Sequence, residues 1–376
     1  MYKILHIISD TNIGGAGKLL LVYLANYNRE KFDVSVVVPT GSLLLAKIQA
    51  LGVRTIECDQ IADKSLAFKA IKKLVALYKE EAPDIIHSHA SLSARIAAKL
   101  AKIKVVHTRH SVYTRQSDET QKSYKKKFPY KNIAGAVNNY LSDKIIATSP
   151  AAKISLMETG TKQRKTVMIY NAINAIPRLT ENQKMTARFK FGIDATDFVC
   201  VMLARFEKVK GHLHVLKAAQ MMQKEDAQVK FIFVGTGSEE AEMKRLAQQL
   251  ELENVIFTGF LEDVGEVLNI SHVQINASSS ETTCLAILEG LSLGIPAVAT
   301  DVGGNPFVVN DGVNGILFDY KDYVALYKAI LEIKSNEAVY AQFSKRAREI
   351  FEEKFTSEIM TTKMQEVYFE MLGVSE

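Results

Sequence analysis

The sequence predicts an α/β protein built from two doubly wound parallel sheets. Short apolar runs alternate with helical stretches along the whole chain, and the alternation begins again after a polar segment near the middle. With 376 residues, 47% of them hydrophobic, the chain also exceeds what one core usually holds. In the first half the strands are read at Lys3–Ser9, Val34–Val38, Arg54–Glu57, Ile85–His87, Val105–Thr108, Lys144–Thr148 and Val167–Tyr170, with helical periodicity in stretches such as Leu66–Tyr78. The second half repeats the scheme at Phe198–Leu203, Val229–Val234, Val255–Thr258, Val273–Asn276, Ala297–Thr300 and Ile316–Phe318, with helices around 212–223, 239–250 and 284–293.

The segment Asn171–Lys184 contains Pro177 and reads as a hinge. We expect domains over 1–175 and 176–354, with a last helix, about 355–373 and centred on Ser357–Leu372, packing back on the first. Open parallel sheets collect ligands at the carboxyl ends of their strands, so two such sheets are expected to face a central cleft there.

The net charge of +5 hides a strong asymmetry. Residues 1–180 carry 28 lysines and arginines against 13 acids, whereas residues 181–376 carry 19 against 29. The basic half points to an anionic partner, or to attraction between the halves. Cys58, Cys200 and Cys284 are odd in number and outside any Cys-x-x-Cys pattern, which suits a reducing compartment and offers no metal site. The opening Met1–Ser9 is too short and too quickly polar for a signal peptide, and no run approaches 18 apolar residues. A cytoplasmic location is expected.

The most informative stretch is Ser278–Gly290, where Glu281 and Glu289 lie eight positions apart and Glu289 falls in an otherwise apolar helix. Burying a carboxylate there requires a hydrogen-bonding partner. If Thr282 and Thr283 cap a helix running to about Leu293, Glu281 sits just before its start and Glu289 roughly two turns in. The carboxylates are then about 9–12 Å apart, too far to flank one glycosidic bond but suited to a larger ligand touched at two points. A nucleotide sugar has that shape; a loop glutamate and a core glutamate bonded to backbone are the alternative.

Other strand ends carry further candidates. After the first strand, Asp10–Lys18 includes Gly14 and Gly15 at a helix start, yet lacks the residues of a Walker A or a complete dinucleotide fingerprint. His87 and His89 share one face of the fourth strand, but no carboxylate or cysteine completes a metal shell at readable spacing. His110, at the end of the fifth strand, is placed to hydrogen-bond a sugar hydroxyl or position a reacting carbon. Arg205 and Lys210 leave the first strand of the second half five apart before a helix, an arrangement that suits a departing diphosphate. Gly235 and Gly237, then Gly259 followed by Phe260, lie where backbone groups can read a flat base.

Taken in order, these motifs resemble glycosyltransferase family 4, retaining enzymes of the GT-B fold, over nearly the whole chain. The resemblance rests on Gly14-Gly15, Pro83-Asp-Ile-Ile-His87, Thr108-x-His110, Asp143–Ser149 and Tyr170–Asn174. It continues through Arg205, Lys210-Gly211, Gly235-Thr-Gly237-Ser-Glu239, Glu281-x7-Glu289, Gly294-Ile-Pro296 and Asp301-Val-Gly303-Gly304. It implies that Glu281 contacts donor sugar hydroxyls, that Glu289 holds the ribose, that Arg205 and Lys210 hold the diphosphate, and that His110 is the active-site histidine beside the sugar. Gly14, Gly15, Gly235, Gly237, Phe260, Thr283, Cys284 and Leu285 complete the implied donor site. No divalent metal or other cofactor is implied, and the chain has no Asp-x-Asp to hold one. Thr283-Cys284 stands where the family usually has Phe-Gly, Ala204-Arg205 where it has Gly-Arg, and Phe307 where it often has a glutamate, which leaves the donor sugar open.

The expected reaction moves a sugar from a UDP- or GDP-sugar to a hydroxyl acceptor, a lipid-linked or cell-envelope saccharide precursor. A non-catalytic nucleotide-sugar module and an epimerase or phosphorylase of similar architecture are the alternatives; no nucleic-acid-binding signature accompanies the basic half. Lys122, Lys125, Lys126, Lys127 and Lys131, interleaved with aromatics, suit an acceptor or an anionic membrane surface, hence an expected peripheral attachment to the inner face of the membrane.

Overall fold

The structure, a computed structural model, describes residues 1–89, 91–110, 130–281 and 283–374. The chain divides into two compact units, one of residues Met1–Ile173 with Thr356–Glu376 and the other Asn174–Phe355. Lys122, Lys125, Lys126 and Lys127 of the basic segment lie outside the described residues, as does Thr282, and the side chain of Lys131 is likewise outside the description.

In the first unit seven strands form one sheet: β1 (Tyr2–Ile8), β2 (Phe32–Pro39), β3 (Arg54–Cys58), β4 (Ile85–His89), β5 (Lys104–Arg109), β6 (Lys144–Ala147) and β7 (Thr166–Met168). Their order is β3-β2-β1-β4-β5-β6-β7 and every pairing is parallel. The strands read as nearly continuous apolar runs because helices cover both faces. Successive side chains alternate between layers: Ile4, Ile8, Val34, Val36 and Val38 enter one cluster, Leu5, Ile7 and Val37 the other.

The helix Ser357–Leu372 completes the first of those layers. Thr356 caps it by accepting from the Ile359 amide, and Gly373 ends it at φ 76°. Met360, Met364, Val367, Tyr368, Phe369 and Met371 join Leu19, Leu20, Tyr23 and Leu24 of the helix Gly15–Asn26 in one core. Each large side chain buried there contributes about 1.5–3 kcal/mol. The chain enters this helix through a bridge between Ile173 and Thr356, with the Ser357 amide donating to the Ile173 carbonyl at 3.1 Å.

The second unit holds six parallel strands: β8 (Phe198–Leu203), β9 (Val229–Val234), β10 (Val255–Gly259), β11 (Val273–Asn276), β12 (Ala297–Thr300) and β13 (Gly315–Phe318), in the order β10-β9-β8-β11-β12-β13. Cys200, Met202, Phe231 and Phe233 face one layer, Val199, Val201, Ile232 and Val234 the other. Both sheets reverse their winding direction beside their first strand, between β1 and β4 and between β8 and β11, and such switch points are where open α/β sheets bind ligands. Among the described residues no helix is long and apolar enough to cross a membrane.

Candidate active site

In the second unit the switch point carries a carboxylate and an ammonium. Lys210 follows β8 in a short 3-10 turn, Lys208–Lys210, and Gly211 at φ 74° turns the chain into the helix His212–Glu225. A Cβ at Gly211 would lie 2.1 Å from the Ala277 carbonyl oxygen, so only glycine lets this loop press against the end of β11. The Ser279 amide bonds the Val209 carbonyl at 2.8 Å and ties the two loops together. The result brings Lys210 Nζ to 2.6 Å from Glu281 Oε1. Glu281 and Lys210 side chains are only 9% and 21% exposed, so each charge is compensated at close range by the other.

Two further groups orient the carboxylate. Glu281 Oε1 accepts from Ser278 Oγ at 2.7 Å and from Asn276 Nδ2 at 3.2 Å. Asn276 Oδ1 in turn accepts from the Ser278 amide and from Asn305 Nδ2, whose other bonds go to Thr300. Behind it, the Gly304 amide donates to the Glu281 carbonyl at 2.9 Å, and a Cβ at Gly303, φ 55°, would sit 2.0 Å from that same oxygen. Asp301-Val-Gly303-Gly304 therefore acts as a backing for the Glu281 loop.

The helix expected over about 284–293 with Thr282 or Thr283 as its cap is present, but neither threonine residue is its N-cap. It runs Leu285–Leu291 with Cys284 as its N-cap residue and no side-chain cap, and the Thr283 hydroxyl is buried without a partner among the described residues. The bonds that hold Glu281 by side chain and carbonyl fix the loop ahead of this helix. Glu289 is consequently little more than one turn in, partly buried on a helix whose Ile287, Leu288 and Leu291 face the core. Cys284 is buried, accepts from Asn276 Nδ2 at 3.0 Å, and has its thiol pushed up to about 12 by burial first and by the Glu281 carboxylate second.

Around this centre, Arg205 is exposed just after β8 and forms no ion pair among the described residues. Gly235 and Gly237 line the loop after β9, which packs on the 204–206 segment: the Phe206 amide donates to the Thr236 carbonyl and the Glu239 amide to the Phe206 carbonyl. The Gly235 amide is itself used, donating to the Gly259 carbonyl at 2.8 Å. Phe260, after β10, is 72% exposed.

The first unit's switch point is built from neutral groups. Gly14 caps the helix Gly15–Asn26 without a side-chain bond, and Gly14 and Gly15 are both exposed, with open space beyond Gly15. Register places His6 of β1 opposite His87 of β4, and Ile8 opposite His89. His6 Nδ1 lies 3.0 Å from His89 Nε2, and His89 Nδ1 lies 3.0 Å from His110 Nε2. His87 Nε2 meets Thr108 Oγ1 at 2.6 Å, its Nδ1 meets the Tyr368 hydroxyl at 2.5 Å, and that hydroxyl lies 3.3 Å from His6 Nε2. Burial is the first cause that lowers each ring's proton affinity, taking His6 to about 3 and His110 to about 4, with Arg109 a second cause at His110. His87 and His89 are also held well below their usual range by burial, then by neighbouring histidines.

His6, His87 and His89 bring ring nitrogens within 4.8 Å of one another, the spacing of a metal cluster. Every one of those nitrogens already has a hydrogen-bond partner, however, so neutral imidazoles account for the arrangement. Sequence reasoning gave no role to His6, Tyr368, Ser278 or Asn305. Only His6 had a readable signal, a polar residue inside a buried strand and in register with His87.

Comparison with known proteins assigns both halves of the chain. The family model described as Glycosyltransferase Family 4 matches residues 13–175, and that described as Glycosyl transferases group 1 matches residues 183–350. The chain is 28% identical to the N-acetyl-alpha-D-glucosaminyl L-malate synthase of Bacillus anthracis, over 80% of this chain and 78% of that protein. It is 25% identical to the UDP-Gal:alpha-D-GlcNAc-diphosphoundecaprenol alpha-1,3-galactosyltransferase of Escherichia coli, over 98% of this chain and 97% of that one. Among solved structures, Anabaena HepE in complex with UDP and glucose superposes with a TM-score of 0.82 at 22% identity, covering 98% of this chain and 99% of that chain. That likeness establishes the GT-B fold. Two matches that change over where the two units do leave one assignment for the whole sequence: the chain belongs to glycosyltransferase family 4.

Proposed function

We propose that this glycosyltransferase moves a hexosyl or N-acetylhexosaminyl group from a UDP- or GDP-sugar to a hydroxyl of a lipid-linked or cell-envelope saccharide, with retention at the anomeric carbon and without a divalent metal. The observation that carries this reading is the Lys210–Glu281 pair at the β8/β11 switch point, with Arg205 exposed on the same loop. Lys210 and Arg205 supply the positive charge that a departing nucleoside diphosphate needs, the one as a mobile point charge and the other as a planar fork. Glu281, already oriented by Ser278 and Asn276, accepts from sugar hydroxyls when Lys210 turns to phosphate. Glu289 takes the ribose hydroxyls; Thr283, Cys284 and Leu285 border the sugar, and Gly235, Gly237 and Phe260 border the base.

The first unit takes the acceptor and contributes His110 beside the sugar. The Gly14-Gly15 turn presents the Gly15 helix-start amide to an anionic part of the substrates, the Gly14 amide donating to the Asn12 carbonyl. The acceptor class is supported by the Escherichia coli relative, whose name specifies a diphosphoundecaprenol-linked sugar. The basic stretch holding Lys122, Lys125, Lys126, Lys127 and Lys131 suits the anionic membrane face where such acceptors reside.

Incubation with UDP-, GDP-, ADP- and dTDP-sugars in the presence of EDTA tests the proposal. Slow release of one nucleoside diphosphate, accelerated by a lipid-linked acceptor and giving an α-product from an α-donor, is expected. Tight binding without turnover across acceptors would make the chain a binding module, and loss of turnover with EDTA would refute the metal-free mechanism.

A further inference from the structure

The buried groups at the β1/β4 switch point form one unbroken series: Thr108, His87, Tyr368, His6, His89, His110. We propose that hydrogen bonds run through it in a single direction, from Thr108 to His110, and hold His110 as the tautomer protonated at Nδ1, making the five preceding residues positioning residues for it. This deepens the role proposed above for His110 and rests on that reading.

A neutral imidazole has one N–H donor and one bare nitrogen, so each ring that receives at one nitrogen must give at the other. All four histidines are kept neutral by their burial. The rings therefore pass the direction on unchanged, but the Tyr368 hydroxyl could receive on both sides if its own proton went to the neighbouring Tyr23 hydroxyl. Tyr23 is buried with no other partner among the described residues, so its proton is the one given to Tyr368, which leaves two states with every link pointing the same way in each. The Thr108 end decides between them. Thr108 is wholly buried, and its hydroxyl meets His87 Nε2 and no other acceptor among the described residues. If His87 gave its proton to Thr108, the hydroxyl hydrogen would be left unpaired in the core, which folded proteins avoid. Thr108 therefore gives to His87 Nε2, and His87 Nδ1–H to the Tyr368 oxygen. Tyr368 O–H gives to His6 Nε2, His6 Nδ1–H to His89 Nε2, and His89 Nδ1–H to His110 Nε2.

The consequence reaches the chemistry. His110 Nε2 is occupied as an acceptor, which leaves Nδ1–H as the ring's donor. It hydrogen-bonds an oxygen lone pair of the substrate and does not take a proton, because accepting one at Nδ1 would require the links through His89 and His6 to reverse as far as Tyr368. The readout also depends on the C-terminal helix, since Tyr368 belongs to Ser357–Leu372.

The test uses the full chain labelled with nitrogen-15 at histidine. Two-bond nitrogen–proton spectra without substrate should show His110 with a pyrrole-type Nδ1 and a pyridine-type Nε2; the opposite pattern would overturn the proposal. Thr108→Val and Tyr368→Phe should move His110 toward a tautomer mixture, and Thr108→Ser should restore the original spectrum. With a turned-over donor identified, both disruptive variants should lower kcat about tenfold while the donor KM stays within about twofold. An unchanged His110 spectrum, or a changed spectrum with kcat unmoved, would sink the idea. So would stoichiometric zinc uptake that His6→Gln abolishes, because the rings would then be ligands. Should Tyr368→Phe not fold, the Thr108→Val and Thr108→Ser pair decides alone. The spectra need no substrate, so the tautomer can fail while the donor assays succeed, and the reverse.

Discussion

The two sheets place polar groups at equivalent switch points and stabilise them by opposite means. The first unit uses neutral rings and hydroxyls, sunk into the core and matched donor to acceptor from Thr108 to His110. The second uses full charges, Lys210 and Glu281, which keep some exposure and lean on Asn276 and Ser278. A neutral network can be buried completely because each link satisfies two groups at once. A charged pair cannot, since desolvation rises faster than pairing compensates. The neutral end is thus suited to orienting a substrate, and the charged end to answering a change in charge during reaction.

The contrast is most easily broken by removing a charge. Lys210→Ala should lower turnover by about 10²–10³-fold, measured as nucleoside diphosphate release, with the fold retained in circular dichroism. Wild-type rates in that variant would refute its assignment to the diphosphate. A smaller and different effect is expected at the other carboxylate. Glu289→Ala should weaken donor binding about tenfold to a hundredfold in calorimetry while kcat at saturation changes little.

Acid should separate the units themselves. Burial holds five histidines of the first unit, His6, His87, His89, His107 and His110, below their ordinary proton affinity, against three of the second, His212, His214 and His272. The unfolded chain then binds protons that the folded one refuses, so the stability these rings confer is present above pH of about 6.5 and is lost as pH falls toward about 4. Each ring contributes at most about 1.4 kcal/mol per pH unit over that window. Hydrogen exchange at stepwise lower pH should show β1, β4 and β5 opening before β8, β9 and β11; simultaneous opening would remove the distinction. Gly303→Ala should cost about 1–3 kcal/mol of stability, read by thermal unfolding, because its new Cβ meets the Glu281 carbonyl. The smallest effect concerns Cys284, whose raised thiol should react with iodoacetamide at neutral pH far more slowly than an exposed cysteine, becoming reactive only on unfolding.

Strands were legible in the sequence because a sheet covered on both faces demands unbroken apolar runs. Phe198–Leu203, Val229–Val234, Val273–Asn276 and Ala297–Thr300 begin and end where those runs do. Helix starts were less so. Thr283 looks like a cap, but tertiary bonds to Glu281 from Lys210, Ser278 and Gly304 fix the preceding loop, and Cys284 takes the cap position without a side-chain bond. The charged residues at strand ends were readable as candidates because polar side chains there have few structural reasons to exist. Tyr368 was not, since a tyrosine in an apolar helix carries no local mark of the histidine it meets 281 positions earlier. Long-range hydrogen bonds of this sort are invisible until strand register is known.

The return of Ser357–Leu372 to the first unit has a consequence for synthesis. As the polypeptide leaves the ribosome, residues 1–173 emerge before residues 174–355, yet a layer of their core and one member of the histidine series are encoded in residues 356–376. The later-made segment 174–355 has all its strands in hand before then. The unit begun first is thus finished last, and a nascent chain halted short of Tyr368 carries His110 in a ring system whose proton order has not been set.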